Sequence, residues 1–171
     1  MIVLETERLL FRDHTIGDLE PFCALQADAE FRRFVGGKPR TREAAEEKFR
    51  TVYLPPVPDK LGMWATDFKP EGRYIGYCGL YPHTGPSGPI PDEAVLAFYS
   101  ARAYWGRGLA TEAGRAFIDF GFGELGLSRI AATVQVGNEA SMRVIDKLGL
   151  SRVRREAGEF RTFDLFEIRK G

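Results

Sequence analysis

Between Glu93 and Val136 the hydrophobic period changes twice, and that change limits the folds open to this chain. Glu93–Ser100 has the mixed alternation of a strand. From Gly108 to Leu125, Leu109, Ala113, Ala116, Phe117 and Phe120 recur at spacings of three and four. That spacing predicts an amphipathic helix with Glu112, Arg115 and Asp119 on its outer face. Ile130–Val136 is β-branched and reads as a central strand. A strand, a short glycine-containing loop, a long helix and a further strand point to an α/β chain rather than to a bundle or an all-β sandwich.

The flanking segments agree. Arg8–Arg12 reads as a first strand, and Thr15 can cap a helix through about Asp28, with Pro21 near its first turn. A second helix from Thr41 to about Tyr53 is stopped by Pro55, Pro56 and Pro58. Strands Gly62–Phe68 and Arg73–Tyr81 flank the turn Lys69-Pro70-Glu71-Gly72. Pro82–Pro91, rich in proline and glycine, reads as a mobile hairpin loop that cannot sustain strand pairing. Glu139–Leu148 is a helix ending at Gly149, followed by strands Ser151–Glu156 and Phe160–Ile168. At 171 residues with no internal repeat or linker, residues 1–171 are expected to form a single α/β (α+β) domain.

Charge narrows the function. Lys+Arg and Asp+Glu both number 24, so the formal net charge is +0, which argues against holding nucleic acid by bulk phosphate neutralisation. Residues 1–100 carry 12 basic against 15 acidic side chains (−3), and residues 101–171 carry 12 against 9 (+3). The split permits an anionic ligand in the second half and a cationic one facing the first. No apolar run reaches the length needed to cross a membrane, and MIVLETERLL has no basic stretch before its apolar residues, so a cytoplasmic protein is expected. Cys23 and Cys78 make no disulfide framework and are expected to be reduced. His14 and His83 have no Cys or His at metal-ligand spacing, so no metal site is expected.

The most informative stretch runs from Phe98 to Glu112. A strand ends, Gly106 and Gly108 follow, and a helix begins at once. The first turn of a helix leaves backbone N–H groups unpaired, and its dipole puts partial positive charge there. Glycines in front of it let those groups converge on an anion such as a pyrophosphate. Alone, Gly-x-Gly equally describes a tight strand-to-helix turn. Thr111 stands where a dinucleotide fingerprint has its third small residue, and no GxxxxGK[ST] run occurs. After the next strand Asn138 is a good N-cap, which places Ser141 at N3, in the first turn of the helix and at the mouth of the gap between the two strands.

Four segments in order and at compatible spacing carry a family resemblance: Thr6–Arg12; Tyr104-Trp105-Gly106-Arg107-Gly108-Leu109-Ala110-Thr111-Glu112-Ala113; Glu124–Ile130; and Asn138–Val144 with Lys147-Leu148-Gly149. Together they resemble the GNAT superfamily of acyl-CoA-dependent N-acyltransferases, and within it the RimJ/RimL-like branch that acetylates protein N-termini. The resemblance implies a mixed, mostly antiparallel sheet of six to seven strands, flanked by about four helices and splayed at its central strands. It implies acetyl-CoA as co-substrate, its pyrophosphate on the loop Ala103–Ala110 (Ala103, Trp105, Gly106, Arg107, Gly108, Leu109, Ala110) and on Thr111. The pantetheine arm would pair with Phe98, Tyr99 and Ser100, faced by Asn138 and Ser141. Arg102, Arg107 and Arg143 are candidates for the phosphates. The chain departs from the family pattern at Ala103, where Arg or Gln is common, at Ile145, where many members carry a tyrosine acid, and at Val95, where the branch commonly has Glu.

The implied reaction is direct attack of a neutral amine on a thioester in a ternary complex. An α-amino group is neutral to roughly a tenth at pH 7 whereas lysine is neutral in well under one molecule in a thousand, so a base helps lysine most. A thiol leaving group near pKa ~8.5 departs with modest help. Ser141 is the candidate acid toward the thiolate, and Glu93 the candidate base, with Asp92 and His83 behind it. The acceptor is a primary amine on a small molecule, peptide or protein, with polyamines and aminoglycosides included. The partners implied are that amine alone, with no nucleic acid and no membrane, acting as monomer or homodimer. Two competing readings are a catalytically lapsed acyl-CoA-binding module and a nucleotide-binding protein using Gly106 and Gly108.

Overall fold

A computed structural model describes residues 1–171. One eight-stranded sheet carries the molecule: β1 (Ile2–Glu5), β2 (Leu9–Arg12), β3 (Gly62–Phe68), β4 (Arg73–Gly85), β5 (Gly88–Ser100), β6 (Arg129–Gln135), β7 (Ser151–Ala157) and β8 (Thr162–Arg169), in the spatial order β1-β2-β3-β4-β5-β6-β8-β7. The helices are α1 (Leu19–Ala27), α2 (Ala29–Arg32), α3 (Arg42–Lys48), which runs into a π-helical turn over Phe49–Tyr53, α4 (Leu109–Gly123) and α5 (Glu139–Leu148). No helix is long and apolar enough to cross a membrane.

Three details differ from the sequence expectation. Residues 2–5 add an eighth strand, antiparallel to β2, because Ile-Val-Leu-Glu reaches back across the turn at Thr6–Arg8. Residues 29–32 add a fifth helix, a single turn capped by Asp28, whose Oδ1 accepts from the N–H groups of Glu30 and Phe31. The third concerns Pro82–Pro91, which is paired rather than looped: Pro82 lies opposite Ala94 and Thr84 opposite Pro89. The β6 side of β5 is engaged only from Glu93 onward, so this ribbon projects past the sheet with outer edges that need no donors, and proline is tolerated there.

Alternation along the central strands sorts side chains onto two faces. Trp64, Cys78 and Phe98 point into the main core with Leu109, Ala113, Phe117, Ile145 and Leu148 of α4 and α5. Met63, Tyr77 and Tyr99 point the other way, under Leu19, Phe22, Phe31 and Phe49 from α1 to α3.

The relation that positions the site is between β5 and β6. They are the parallel neighbours in an otherwise antiparallel sheet, and pair only at Glu93–Arg129, Ala94–Ile130 and Val95–Ala131. Beyond Ala131, β6 stays with β8 through Gln135–Phe163, while β5 stays with β4 through Ser100–Gly76. The sheet therefore opens at Leu96, as the splayed central strands of the expectation require.

Candidate active site

A cleft of 620 Å³ fills this opening. Its walls are β5 at Phe98, Tyr99 and Ser100, the following loop and helix start at Trp105, Gly106, Gly108, Leu109, Ala110 and Thr111, and the first turn of α5 at Asn138, Ser141 and Arg143. Glu30, Phe31, Phe34 and Val35 close the side toward α2. A narrower crevice of 110 Å³ continues between the strands, lined by Leu96, Ala97, Ala132, Ile145 and Leu148. Ser141, Phe98 and Tyr99 line both.

The floor of the cleft is a run of unpaired donors. After a helical turn over Arg102–Tyr104, Gly106 (φ 69°) and Gly108 (φ 78°) take left-handed backbone conformations, and α4 starts at Leu109. The N–H groups from Gly106 through Thr111 meet no acceptor in the chain; the first helical bond runs from the Glu112 N–H to the Gly108 carbonyl at 3.0 Å. A Cβ at Gly106 would touch nothing within 4 Å, so that surface is open to an incoming group. Such convergent N–H groups at the positive end of a 15-residue helix fit the pyrophosphate of coenzyme A.

The loop is anchored from several directions. Thr6 Oγ1 donates to Glu112 Oε1 at 2.7 Å, and the Arg8 N–H donates to the same oxygen at 2.9 Å. Arg8 Nε donates to Glu112 Oε2 at 2.7 Å and Arg8 Nη1 to the Arg107 carbonyl at 3.0 Å. Against the upward push of burial, these bonds hold the Glu112 carboxyl below its ordinary pKa. The Arg107 guanidinium lies over the rings of Phe68 (4.6 Å) and Tyr104 (5.2 Å). Trp105 Nε1 donates to the Ser100 carbonyl at 2.8 Å, tying the loop to the end of β5. Asn138 Oδ1 accepts from the Ser141 N–H at 3.2 Å, so the cap that starts α5 also fixes the backbone carrying the Ser141 hydroxyl.

Twelve of the residues singled out for the co-substrate line one cleft; Arg102, Ala103 and Arg107 do not. Arg107 turns its side chain onto Phe68 and Tyr104, and Ala103 is exposed within the helical turn. Arg102 pairs with Asp28 at 3.3 Å. Glu93 is also elsewhere. It stands at the closed end of the β5–β6 pair, where Arg129 Nη1 donates to Glu93 Oε2 at 2.7 Å and His83 Nδ1 lies 2.8 Å from the same oxygen. Burial pushes its pKa upward, but the bonds from His83 and Arg129 outweigh this and lower it. A carboxylate so committed, outside both cavities, is a poor base for an amine in the cleft. Glu112, expected on the outer face of α4, instead faces Thr6 and Arg8. Cys23 and Cys78 are free and buried, and burial raises both thiol pKa values, so neither is a ready nucleophile.

Together these define an α/β protein whose split sheet leads into a backbone anion cradle. The family model of the acetyltransferase (GNAT) domain matches residues 8–151. The uncharacterized N-acetyltransferase p20 of Bacillus licheniformis is 27% identical over 153 residues, covering 89% of this chain and 84% of that one. The uncharacterized protein YkkB of Bacillus subtilis is 36% identical over 92 residues, 53% of this chain and 51% of YkkB, so that match spans about half of its length. An acetyltransferase (GNAT family) from Bacillus anthracis superposes with a TM-score of 0.82 at 22% identity, covering 99% and 98% of the two chains. Aminoglycoside acetyltransferase AAC(6')-Ib, solved with coenzyme A, superposes at 0.77 and 18% identity over 95% of each. The chain belongs to the GNAT family of acetyltransferases, whose shared reaction is acetyl-CoA-dependent N-acetylation.

Proposed function

We propose that residues 1–171 act as one catalytic unit, an N-acetyltransferase that binds acetyl-CoA in the β5–β6 cleft and transfers the acetyl group to a primary amine. The observation that carries this reading is the continuity of the site. The edge of β5 left without a strand partner beyond Val95 leads through Ser100 into the unpaired N–H groups of Gly106–Thr111, with Ser141 where the two cavities meet.

Acetyl-CoA, when bound, supplies the activated acyl group as a thioester. The chain's own contribution is binding, orientation and proton handling. The Gly106–Thr111 N–H groups hold the pyrophosphate, with Arg143 on the rim beside it. Backbone of Phe98–Ser100 aligns the pantetheine arm as an added strand. Apolar walls at Leu96, Ile145 and Leu148 exclude water from the crevice. The Ser141 hydroxyl donates a proton toward the departing thiolate and recovers one from the nitrogen of the attacking amine, directly or through water, so that thiol and amide leave with the serine unchanged; Ile145 cannot perform this task at the tyrosine position. Glu93 is left out as base, and an acceptor whose amine has a pKa near that of an α-amino group needs none of comparable strength.

Among acceptors, the four motifs favour the RimJ/RimL-like reading, a protein or peptide N-terminus, with small-molecule amines next. The test is thiol release from acetyl-CoA over a panel of peptides with free N-termini, polyamines and aminoglycosides. Peptide-dependent release supports the reading. Tight acetyl-CoA binding with no turnover over the whole panel would favour a lapsed binding module.

A further inference from the structure

Deeply placed guanidinium groups in this protein are matched by carboxylates, with one exception. Arg12 donates to both Asp18 and Asp67, and Arg129 to both Glu93 and Glu167. Arg32 is only 6% exposed, yet its acceptors are neutral: the Lys38 carbonyl at 2.9 Å and Gln26 Oε1 at 3.2 Å. Gln26 in turn donates to the Tyr77 hydroxyl at 3.1 Å, below Tyr99 on the cleft wall. Arg161 also has a neutral acceptor, Gln135 Oε1 at 3.2 Å, and Gln135 lines the cleft. Arg40 Nε is buried and has no partner at all.

Gly36 and Gly37 bring these groups together. Both have left-handed backbones (φ 86° and 83°), and a guanidinium occupies the place of each missing side chain. A Cβ at Gly36 would lie 2.1 Å from Arg32 Nη2, and one at Gly37 would lie 1.4 Å from Arg161 Nη2. Adjacent Cα atoms are about 3.8 Å apart, so two like charges are seated on neighbouring residues of one loop. No carboxylate bonds or pairs with Arg32, Arg40 or Arg161; of the acids beside α2, Asp28 pairs with Arg102 at 3.3 Å and Glu30 lies 4.0 Å from Arg33. Burial, and then the charges of Arg40 and Arg161, lower the Arg32 pKa. Gathering like charges around one buried guanidinium without a counter-charge is costly, and an anionic ligand reduces that cost.

Resting on the acetyltransferase reading above, we propose that Arg161 and Arg40, with Arg32 adding a buried positive charge, hold an anionic oxygen group of the acceptor, a carboxylate or a phosphate, while its amine faces the thioester. The acceptor is thus an amine with a negative charge a few bonds away, either a peptide N-terminus whose first residues are acidic or a small molecule, and not a polyamine. None of the three arginines lines either cavity; Arg161, partly exposed, adjoins the cleft through its bond to Gln135, and an acceptor extending past Gln135 would meet it first.

The experiment uses matched pairs of amines: amino acids against their amides, and aminoethyl phosphate against ethanolamine. The preference of the wild type within each pair is read as kcat/KM from thiol release, expressed per concentration of neutral amine, and, independently of turnover, as affinity by calorimetry on the CoA-loaded protein. The anionic member of one pair type should lead by roughly tenfold or more, as for a charge-assisted bond, and the winning pair type distinguishes carboxylate from phosphate. Arg161→Gln should bring that preference close to unity through the acceptor KM, and Arg161→Lys should restore part of it, both with unchanged melting temperature. Equal or reversed preference in the wild type overturns the proposal. So does an Arg161→Gln effect that falls on the acetyl-CoA KM, which would assign the cluster to the coenzyme. Loss of acetyl-CoA binding altogether in the wild type would instead refute the acetyltransferase reading.

Discussion

Arg8 Nε donates to Glu112 Oε2 at 2.7 Å, joining the turn just before the second strand to the first turn of the helix that forms the cradle, 104 residues away in sequence. The same guanidinium reaches the Arg107 carbonyl at 3.0 Å, so one side chain fixes both the helix and the loop before it. The segment Thr6–Arg12 thereby has a physical role: it orients the backbone donors from outside the cleft. Glu112→Ala should lower stability by about 2 kcal/mol, the scale of charge-assisted bonds to a largely buried carboxylate. It should also raise the KM for acetyl-CoA more than that for the acceptor. Chemical denaturation and two-substrate kinetics check both.

Gly106→Ala separates backbone strain from ligand contact. A methyl group there touches no protein atom within 4 Å, so the stability cost should be only the roughly 1–2 kcal/mol of a left-handed L-residue. Acetyl-CoA affinity should fall by at least about tenfold, because the methyl group occupies the open face of the cradle. Calorimetry beside a melting curve reads the two effects separately.

Ser141→Ala should reduce kcat by about tenfold with little change in the acetyl-CoA KM, less than the usual range for an acid because a thiolate leaves readily. Asn138→Ala, by contrast, should cost about 1 kcal/mol of stability through the lost cap of α5. Glu93→Gln should cost about 1 kcal/mol, weakening its bonds with Arg129 and His83, and leave kcat essentially unchanged. Steady-state rates and melting temperatures for the three variants distinguish these roles.

His14 makes stability depend on pH. It is buried against the rings of Phe49, Tyr53 and Tyr74, with neither ring nitrogen bonded, and burial lowers its pKa from 6.5 to about 4. Between those values the unfolded chain binds the proton and the folded one does not, so stability falls as pH drops from 6.5 toward 4. The loss due to His14 at pH 5 should be about 2 kcal/mol relative to pH 7 and above. His14→Phe should remove that part of the acid sensitivity, measured as urea midpoints at pH 7 and pH 5.

What the sequence revealed and concealed follows from the range of the interactions. The helices beginning at Thr15, Thr41, Gly108 and Asn138 are marked by local caps and periodicity, and so is the glycine pair before α4. The roles of Glu112 and Glu93 depend on Arg8, Arg129 and His83, which are distant in sequence, so both acids looked free. The prolines of 82–91 argue against a central strand but say nothing about a ribbon whose outer edges need no partner. Nothing local indicates that Gly36 and Gly37 seat two arginines, one of them from the turn before β8.

Hydrogen exchange at the amides of Gly106 through Thr111, with and without acetyl-CoA, tests the central claim most directly. These groups have no acceptor within the chain and should exchange rapidly in the free protein. On adding acetyl-CoA, this segment should gain protection along with the edge of β5 at Phe98–Ser100. Saturating acetyl-CoA that protects other segments and leaves 106–111 unchanged would contradict the account.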